Sequence, residues 1–182
     1  MQAKLLDDQG RECAEPGRVG ELVYRGPNVF AGYYRRPDVA AGSFTSEGFF
    51  RTGDFFVVRD DRRIGFFDRK KDIIIRGGFN ISAAEVENLV LAHPGVQEVA
   101  AVGVPDEIMG EKTCIFVVPK DEAQAPTLAD IVEHLKQVGV ASYRLPEYIE
   151  YTDAIPRNPV GKVLKVQLRQ QASVSCFGQR AA

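Results

Sequence analysis

The hydrophobic pattern of this chain changes near Asp72, and that change constrains the fold more than any other feature. Before it, short apolar runs such as 55–58 alternate with turn residues, and no stretch has the periodicity of a long amphipathic helix. After it, helical periodicity alternates with apolar, β-branched runs of strand length at 99–104 and 114–118. The sequence therefore predicts a β-rich first part followed by a small α+β domain.

Three helices are predicted in the second part. Ser82 and Glu85 have the spacing of a capping box, which begins a helix that ends at 93–95, the sequence His-Pro-Gly. A second helix begins at Thr127, and its apolar stripe closes at a glycine. A third is predicted at 163–171, with two leucines, Leu164 and Leu168, facing inward.

Composition excludes several classes of function. The net charge of −2 over 182 residues gives no general attraction to nucleic acid or to an anionic membrane. No apolar run approaches the roughly 18 residues that span a bilayer. The three cysteines, Cys13, Cys114 and Cys176, are far apart and fit neither a disulfide framework nor a zinc site. We therefore expect a cytoplasmic protein with no membrane span, no nucleic-acid partner and no metal site.

Asp54 and Arg69 lie at the two ends of a predicted hairpin whose turn is at 59–62. We therefore expect the two side chains to lie close together in the folded protein, although they are 15 positions apart in the sequence. A carboxylate that accepts from two vicinal hydroxyls, beside a guanidinium that donates to them, would bind a ribose. The alternative is a solvated turn or a surface ion pair, which is the more common use of such residues.

Three motifs in this chain resemble those of the adenylate-forming superfamily, which includes acyl-CoA synthetases, aryl-CoA ligases, luciferases and peptide-synthetase adenylation domains. The sequence FRTGD at 50–54 is similar to the family's Tyr-Arg-Thr-Gly-Asp motif. The sequence DRKKDIIIRGGFNISAAEVE at 68–87 resembles the motif that joins the large and small domains. The sequence IPRNPVGK at 155–162 resembles the C-terminal catalytic-lysine motif. The resemblance covers roughly 20–171, nearly the whole chain.

The resemblance implies an α+β fold with two parts and a tail. Residues 1–70 would be the distal β-subdomain of an incomplete N-terminal adenylation domain, and residues 71–172 the complete C-terminal lid domain. Residues 173–182 would be a disordered tail. The family's phosphate-binding loop, its adenine and magnesium motif and its acyl pocket have no counterpart here. The missing N-terminal domain is therefore the expected partner, and Mg²⁺ is expected in the full-length enzyme on ligands that this chain lacks.

The reaction implied by the family has two halves. A carboxylate attacks the α-phosphate of ATP to give an acyl-adenylate and release pyrophosphate. A thiol, usually that of coenzyme A, then displaces AMP to give a thioester. Lys162 resembles the lysine that stabilises the charge built up in the first half. Asp54 and Arg69 resemble the groups that bind the ribose of ATP or AMP. Lys71 is similar to the hinge residue about which the small domain pivots, although a basic turn would look the same.

A second set of residues resembles contacts to coenzyme A. Gly77 and Gly78 are similar to paired glycines that let the thin pantetheine chain pass close to the backbone, although a turn at a strand end would need glycine equally. Met109, Tyr143 and Arg144 resemble contacts to the nucleotide of coenzyme A, by stacking and phosphate pairing. Each could equally be an ordinary surface residue.

The expected function is therefore that of the C-terminal part of an ATP-dependent ligase joining a small carboxylic acid to coenzyme A, inactive in isolation. The sequence GGFNISAAEVE at 77–87 favours a CoA ligase over a carrier-protein-loading adenylation domain, which is the first alternative. The second alternative is a stand-alone module that binds a nucleotide or a partner without catalysis. A third possibility is a domain that kept the fold and lost the catalytic activity. The presence of Asp54, Arg69 and Lys162 argues against it.

Overall fold

The computed structural model describes residues 1–178, which fall into two compact units, Met1–Lys71 and a second unit that begins at Asp72. The first unit contains β1 (Gln2–Leu6), β2 (Val19–Arg25), α1 (Pro37–Ser43), β3 (Phe50–Val58) and β4 (Ile64–Arg69). Its four strands form an antiparallel sheet in the order β1-β2-β3-β4. The predicted β-rich character of the first part is confirmed, and its one helix is a short segment that begins at Pro37.

The sheet of the first unit is apolar on both faces. Because successive residues of a strand point to opposite faces, Leu5 and Leu6 enter two different clusters. Leu5 packs with Cys13 and Val58, and Leu6 packs with Val23 and Phe49. Five further rings make edge contacts with one another, namely Tyr24 of β2, Phe50 of β3, and Phe30, Tyr33 and Phe44 of the segment between these strands.

The second unit is built on a five-stranded sheet with helices on both faces. Its elements are β5 (Ile73–Arg76), β6 (Phe79–Ser82), α2 (Ala83–Leu91), β7 (Val96–Asp106), β8 (Gly110–Pro119), α3 (Leu128–Gln137), β9 (Tyr148–Tyr151) and α4 (Lys165–Gly178). The sheet order is β6-β5-β8-β7, and β9 pairs in parallel with β8. The predicted α+β class, with three helices in the second unit, is confirmed.

Alternation along β8 distributes its side chains between two cores. Ile115 and Val117 pack with residues of α2 and α3, among them Val86 and Ile131. Cys114 and Phe116 point the other way and pack with residues that include Leu168 of α4. Strand β8 is therefore buried on both faces, which explains its continuous apolar sequence. Cys114 is a buried thiol of this second core.

Capping side chains define the helix starts. The Ser82 hydroxyl accepts a hydrogen bond from the Glu85 amide at 3.1 Å and begins α2. Thr127 and Asp130 form a complete capping box at α3. Among the residues that the structure describes, no helix is long and apolar enough to cross a bilayer.

The C-terminal segment differs from the expectation. Helix α4 continues to Gly178, so residues 173–178 are helical rather than a disordered tail. Its buried Leu168 and Ala172 hold the middle of the helix on the sheet. Leu164 precedes the helix and is 39% exposed, so the prediction that it faces inward was wrong. Residues 179–182 of the predicted tail and the side chain of Cys176 lie outside the described part of the chain.

Candidate functional site

Asp54 and Arg69 are register partners in the β3–β4 hairpin. Arg69 Nε lies 4.0 Å from Asp54 Oδ1, and the two side chains are 50% and 43% exposed. Side chains at directly opposed positions of an antiparallel pair lie on the same face. The predicted proximity is confirmed, and the pair presents an anionic acceptor and a cationic donor side by side to solvent. This donor set fits a vicinal diol.

A bulge in β3 sets the direction of Asp54. Glu21 pairs with Phe55 and Val23 pairs with Arg51, so residues 52–54 of β3 lie opposite Leu22 alone. Gly53 adopts a φ of 72° within the bulge, in the left-handed region that favours glycine. The Thr52 hydroxyl donates to the Leu22 carbonyl at 2.7 Å and accepts from the Asp54 amide at 3.0 Å. The motif Arg-Thr-Gly-Asp is thus a hydrogen-bonded turn within a strand.

Glu21 is a residue of this region that sequence reasoning missed. Its side chain is only 5% exposed, yet it is a carboxylate. It accepts hydrogen bonds from Arg51 Nη1 at 2.8 Å, from Lys70 Nζ at 3.2 Å and from the Gly53 amide at 3.2 Å. The available signal was weak, because it consisted only of one acidic residue inside an otherwise apolar strand.

Lys71 is the last residue of the first unit and lies in a 3₁₀ turn at Lys70–Asp72. The next residue, Asp72, begins the second unit and accepts a hydrogen bond from Arg169 of α4 at 3.3 Å. The predicted boundary after residue 70 and the observed one after Lys71 differ by one position. A short turn with ion pairs on both of its sides suits a hinge, and that role of Lys71 stays a prediction.

Lys162 lies on a loop that its own hydrogen bonds hold in shape. Arg157 and Val163 form an isolated antiparallel bridge that closes the loop. The Asn158 amide donates to the Lys162 carbonyl at 2.9 Å, and Asn158 Oδ1 accepts from the amides of Val160 and Lys162. Gly161 has a φ of 82°. Lys162 itself is exposed, and within residues 1–178 no carboxylate forms an ion pair with its ammonium.

Two ion pairs attach this loop and the start of α4 to the rest of the unit. Arg157 Nη2 donates to Glu98 of β7 at 3.0 Å, and its Nη1 donates to the Gly161 carbonyl at 3.1 Å. Lys165 Nζ lies 2.8 Å from Glu87 Oε1, and both side chains are mostly buried. The same Glu87 oxygen accepts from the Ala101 amide at 2.8 Å. Glu87 therefore holds both a cation of α4 and a backbone amide of β7.

Gly77 and Met109 are in direct contact in the second unit. The Gly77 amide donates to the Met109 carbonyl at 2.8 Å. Gly77 and Gly78 have φ values of 56° and 81°, as the tight turn between β5 and β6 requires. A Cβ on Gly77 would lie 2.7 Å from the Met109 methyl group, whereas one on Gly78 would meet nothing within 4 Å.

Tyr143 and Arg144 join the same surface through Phe79. The rings of Phe79 and Tyr143 stack with centroids 4.5 Å apart and an interplanar angle of 19°. Arg144 Nε donates to the Tyr143 hydroxyl at 3.1 Å, and Arg144 Nη1 donates to Glu85 at 2.6 Å. The structure therefore brings together all five residues expected at a coenzyme A site. Internal partners already occupy one face of the Tyr143 ring and two nitrogens of Arg144, Nε and Nη1.

The two histidines lie against each other away from these residues. The rings of His93 and His134 make an edge contact at 5.2 Å, and His93 Nδ1 accepts from the Gly95 amide at 3.1 Å. Burial, and secondarily the neighbouring His134, lower the pKa of His93. In the described part of the chain, no three His, Cys, Asp or Glu side chains gather in a way that could hold a metal ion.

This chain is similar to known enzymes over most of its length. Residues 85–162 match the family model of the AMP-binding enzyme C-terminal domain. The chain is 41% identical over 172 residues to the 2,3-dihydroxybenzoate-AMP ligase of Bacillus subtilis strain 168, covering 94% of this chain and 31% of the ligase. It is 43% identical over 173 residues to the long-chain-fatty-acid–CoA ligase of Escherichia coli O157:H7, covering 94% of this chain and 30% of that ligase.

A solved structure extends the likeness to three dimensions. The chain superposes on ATP-bound MatB from Rhodopseudomonas palustris with a TM-score of 0.80 and 34% sequence identity, covering 94% of this chain and 34% of MatB. The chain thus spans about a third of the length of MatB and 31% or 30% of the two curated relatives. Its similarity is to the C-terminal portion of such ligases.

Proposed function

We propose that this chain, whose residues 85–162 match the family model of the AMP-binding enzyme C-terminal domain, is the C-terminal part of an ATP-dependent ligase that joins a carboxylic acid to coenzyme A. The observation that carries the proposal is the state of Lys162. Its ammonium is exposed and forms no ion pair with a described residue, while the backbone of its loop is held by Asn158. A cation held on a rigid loop suits the stabilisation of phosphate charge.

Lys162 would act in the first half of the reaction. Negative charge develops on the oxygens between the attacking carboxylate and the α-phosphate of ATP. A lysine ammonium stabilises that charge as a compact point charge, and it accelerates the step only because the charge is larger in the transition state than in the substrates. Little reorganisation is needed when the loop is already in place.

Asp54 and Arg69 would hold the ribose of the nucleotide. The Asp54 carboxylate accepts from the two hydroxyls, and the Arg69 guanidinium donates to their oxygens. Both side chains are close to half exposed and lie within reach of each other, so a nucleotide can approach them from solvent. The similarity of this chain to ATP-bound MatB supports the use of ATP and AMP.

Lys71 would be the hinge between the two halves of the reaction. A pivot at the junction of the two units allows each unit to keep its own core unchanged. Gly77, Gly78, Met109, Tyr143 and Arg144 would then bind coenzyme A, with the glycines beside pantetheine and Arg144 near a phosphate.

The remaining parts of the ligase would lie upstream. We propose an N-terminal adenylation domain in the same polypeptide as the partner, since the curated relatives are about three times the length matched here. That domain would supply the phosphate-binding loop, the acid pocket and the ligands of Mg²⁺. The chain alone is then inactive, and its location is the cytoplasm, where ATP and coenzyme A are available.

A second candidate is a ligase whose thiol acceptor is borne on a carrier protein. The observation that favours it is the exposed apolar surface beside Gly77. Ile108 at the β7–β8 turn is 89% exposed, and Ile75 and Phe79 are each 53% exposed. Because Ile75 pairs with Asn80 and Phe79 pairs with Arg76, their side chains lie on opposite faces of the β5–β6 hairpin. Large apolar side chains left this exposed favour a protein contact, whereas the nucleotide of coenzyme A needs phosphate-binding cations.

A hybrid ligase tests the proposed function. This chain would be joined to the upstream part of the Bacillus subtilis 2,3-dihydroxybenzoate-AMP ligase, which provides a defined acid pocket. We expect the 182-residue chain alone to catalyse no carboxylate-dependent exchange of pyrophosphate into ATP, and the hybrid to catalyse it. Exchange that persists undiminished in the Lys162→Ala hybrid would refute the assignment of Lys162.

The same hybrid separates the two candidates. Thioester formation is measured with free coenzyme A and with a phosphopantetheine-bearing carrier protein. The Ile108→Asp variant should leave the reaction with coenzyme A unchanged if the first candidate is correct. A selective loss of the reaction with the carrier protein would favour the second.

A further inference from the structure

We infer that Glu21 is a positioning residue that couples the ribose-binding turn to the hinge. The inference rests on the proposed function, because it assigns to Glu21 an effect on a nucleotide held by Asp54. Glu21 contacts neither Asp54 nor Arg69 directly by hydrogen bonding. It acts through the three groups it binds, namely Arg51, the Gly53 amide and Lys70.

The bond to Gly53 orients the nucleotide-binding carboxylate. Gly53 directly precedes Asp54 in the bulge of β3, and its amide points to Glu21 Oε1. The same carboxylate holds Arg51 on the other side of the bulge through Oε2. A bulge is a local departure from the ladder, so its shape depends on the side chains that bind its free backbone groups. Glu21, on the neighbouring strand, supplies one such side chain.

The bond to Lys70 fixes the chain immediately before the hinge. Lys70 Nζ is 3.2 Å from Glu21 Oε2 and 5.9 Å from the centre of the Phe55 ring. Its neighbour Arg69 is a register partner of Asp54 in the same sheet. The first unit is therefore anchored up to and including Lys70, and the pivot begins at Lys71.

Burial is what makes Glu21 suited to this coupling. A carboxylate that is 5% exposed is unfavourable unless cations and donors surround it, so its partners cannot separate from it without cost. Arg51 and Lys70 are 36% and 53% exposed and have solvent as an alternative. If Lys70 moved away, Arg51 would be the single cation left on Glu21 among these contacts. If the bulge changed shape, Glu21 would lose its contacts with Arg51 and the Gly53 amide instead.

Four variants test the coupling. Glu21→Gln keeps the size and removes the charge, and Glu21→Asp keeps the charge on a shorter side chain. Lys70→Gln removes the hinge-side bond at an exposed position, so it leaves the fold intact even if a change at Glu21 does not. Glu12→Gln is the matched control, since Glu12 is an exposed glutamate of the same unit.

The first measurement is amide hydrogen exchange on the 182-residue chain, which needs no catalysis. We expect Glu21→Gln to speed exchange about tenfold at Gly53 and at 70–72, since a hydrogen bond to a charged group is lost. Lys70→Gln should speed exchange at 70–72 alone, and Glu12→Gln should change neither. Unchanged exchange at both places in Glu21→Gln, or at 70–72 in Lys70→Gln, overturns the inference.

The second measurement uses the hybrid ligase. Glu21→Gln should raise the KM for ATP in pyrophosphate exchange about tenfold with a smaller change in kcat, because the turn that carries Asp54 is less ordered. Glu21→Asp should recover part of that loss. Lys70→Gln should slow the thioester step about fivefold with a smaller effect on the KM for ATP.

Failure of the inference and failure of the proposed function give different results. If Asp54→Asn impairs the KM for ATP and Glu21→Gln matches Glu12→Gln, Glu21 has no positioning role. If Asp54→Asn is itself without effect, the ribose assignment is wrong. Amide hydrogen exchange then still decides whether Glu21 orders the turn and the hinge.

Discussion

Asp54 and Arg69 face each other across the β3–β4 hairpin, with Arg69 Nε 4.0 Å from Asp54 Oδ1. A separation of this size is the limit of an ion pair, and both side chains are about half exposed. The pair therefore contributes little to stability, at most about 1 kcal/mol. Its value lies in presenting an acceptor and a donor to a ligand that can bind both.

Replacement of Asp54 should impair nucleotide binding without unfolding the protein. In the hybrid ligase, Asp54→Asn is expected to raise the KM for ATP by about 10- to 100-fold, because a charged acceptor of hydrogen bonds is lost. The free energy of unfolding should change by less than about 1 kcal/mol. Asp60→Asn, at an exposed position of the turn between the same two strands, is the control and should alter neither quantity.

Replacement of Lys162 should abolish the adenylation half-reaction. Lys162→Ala is expected to lower pyrophosphate exchange by the hybrid about 100- to 1,000-fold, which is typical of losing one group that stabilises developing charge. The fold should be unaffected, because the side chain is exposed. Lys136→Ala, an exposed lysine of α3, is the control. An equal loss in both variants would contradict a specific role for Lys162.

Alanine at Gly77 should affect the thioester step more than it affects stability. Both Gly77→Ala and Gly139→Ala force a side chain into the left-handed region, at φ values of 56° and 80°, and each should cost about 1 kcal/mol of unfolding free energy. Only the Cβ at Gly77 meets the Met109 methyl group, which must move. We therefore expect slower thioester formation with Gly77→Ala and an unchanged rate with Gly139→Ala. Equal rates would argue against a thiol path beside Met109.

Loss of the charge on Glu87 should destabilise the second unit. Glu87→Gln weakens the bond to Lys165 Nζ and leaves that cation mostly buried, so about 1 to 3 kcal/mol of unfolding free energy should be lost. The exposed Glu133→Gln change in α3 should cost less than about 0.5 kcal/mol. Urea unfolding followed by circular dichroism measures both, and similar midpoints would show that Glu87 is dispensable.

Mild acid should destabilise the protein through His93. Burial lowers the pKa of His93 in the folded state, so the unfolded chain binds a proton at a pH where the folded protein does not. The stabilisation is complete above about pH 6.5 and is lost as the pH falls through that value toward the lower folded pKa.

A variant that cannot titrate isolates this contribution. In His93→Asn the side-chain oxygen can still accept from the Gly95 amide, but nothing titrates. Urea-unfolding free energies measured between about pH 7.5 and pH 5.5 should fall more steeply in the original chain than in His93→Asn. Parallel curves would assign the pH dependence to other groups.

Local patterns predicted most of the secondary structure because their causes are local. The Ser82 cap, the capping box at Thr127 and the alternation along β8 each depend on residues a few positions apart. The end of α4 was predicted less well. The small and polar residues after Ala172 carry no strong stop signal, and the packing of Leu168 and Ala172 holds the preceding turns of the helix.

The sequence by itself determined the α+β class, the three motifs and the identity of Asp54, Arg69 and Lys162 as candidates. Only the tertiary structure decided which groups surround them. Glu21 binds Arg51 and Lys70, which are 30 and 49 positions away in the chain. Such contacts depend on strand register and on the bulge at 52–54, and a shift of one residue would turn Glu21 to the other face. Burial of that carboxylate is therefore a property of the assembled sheet, which no local pattern of residues specifies.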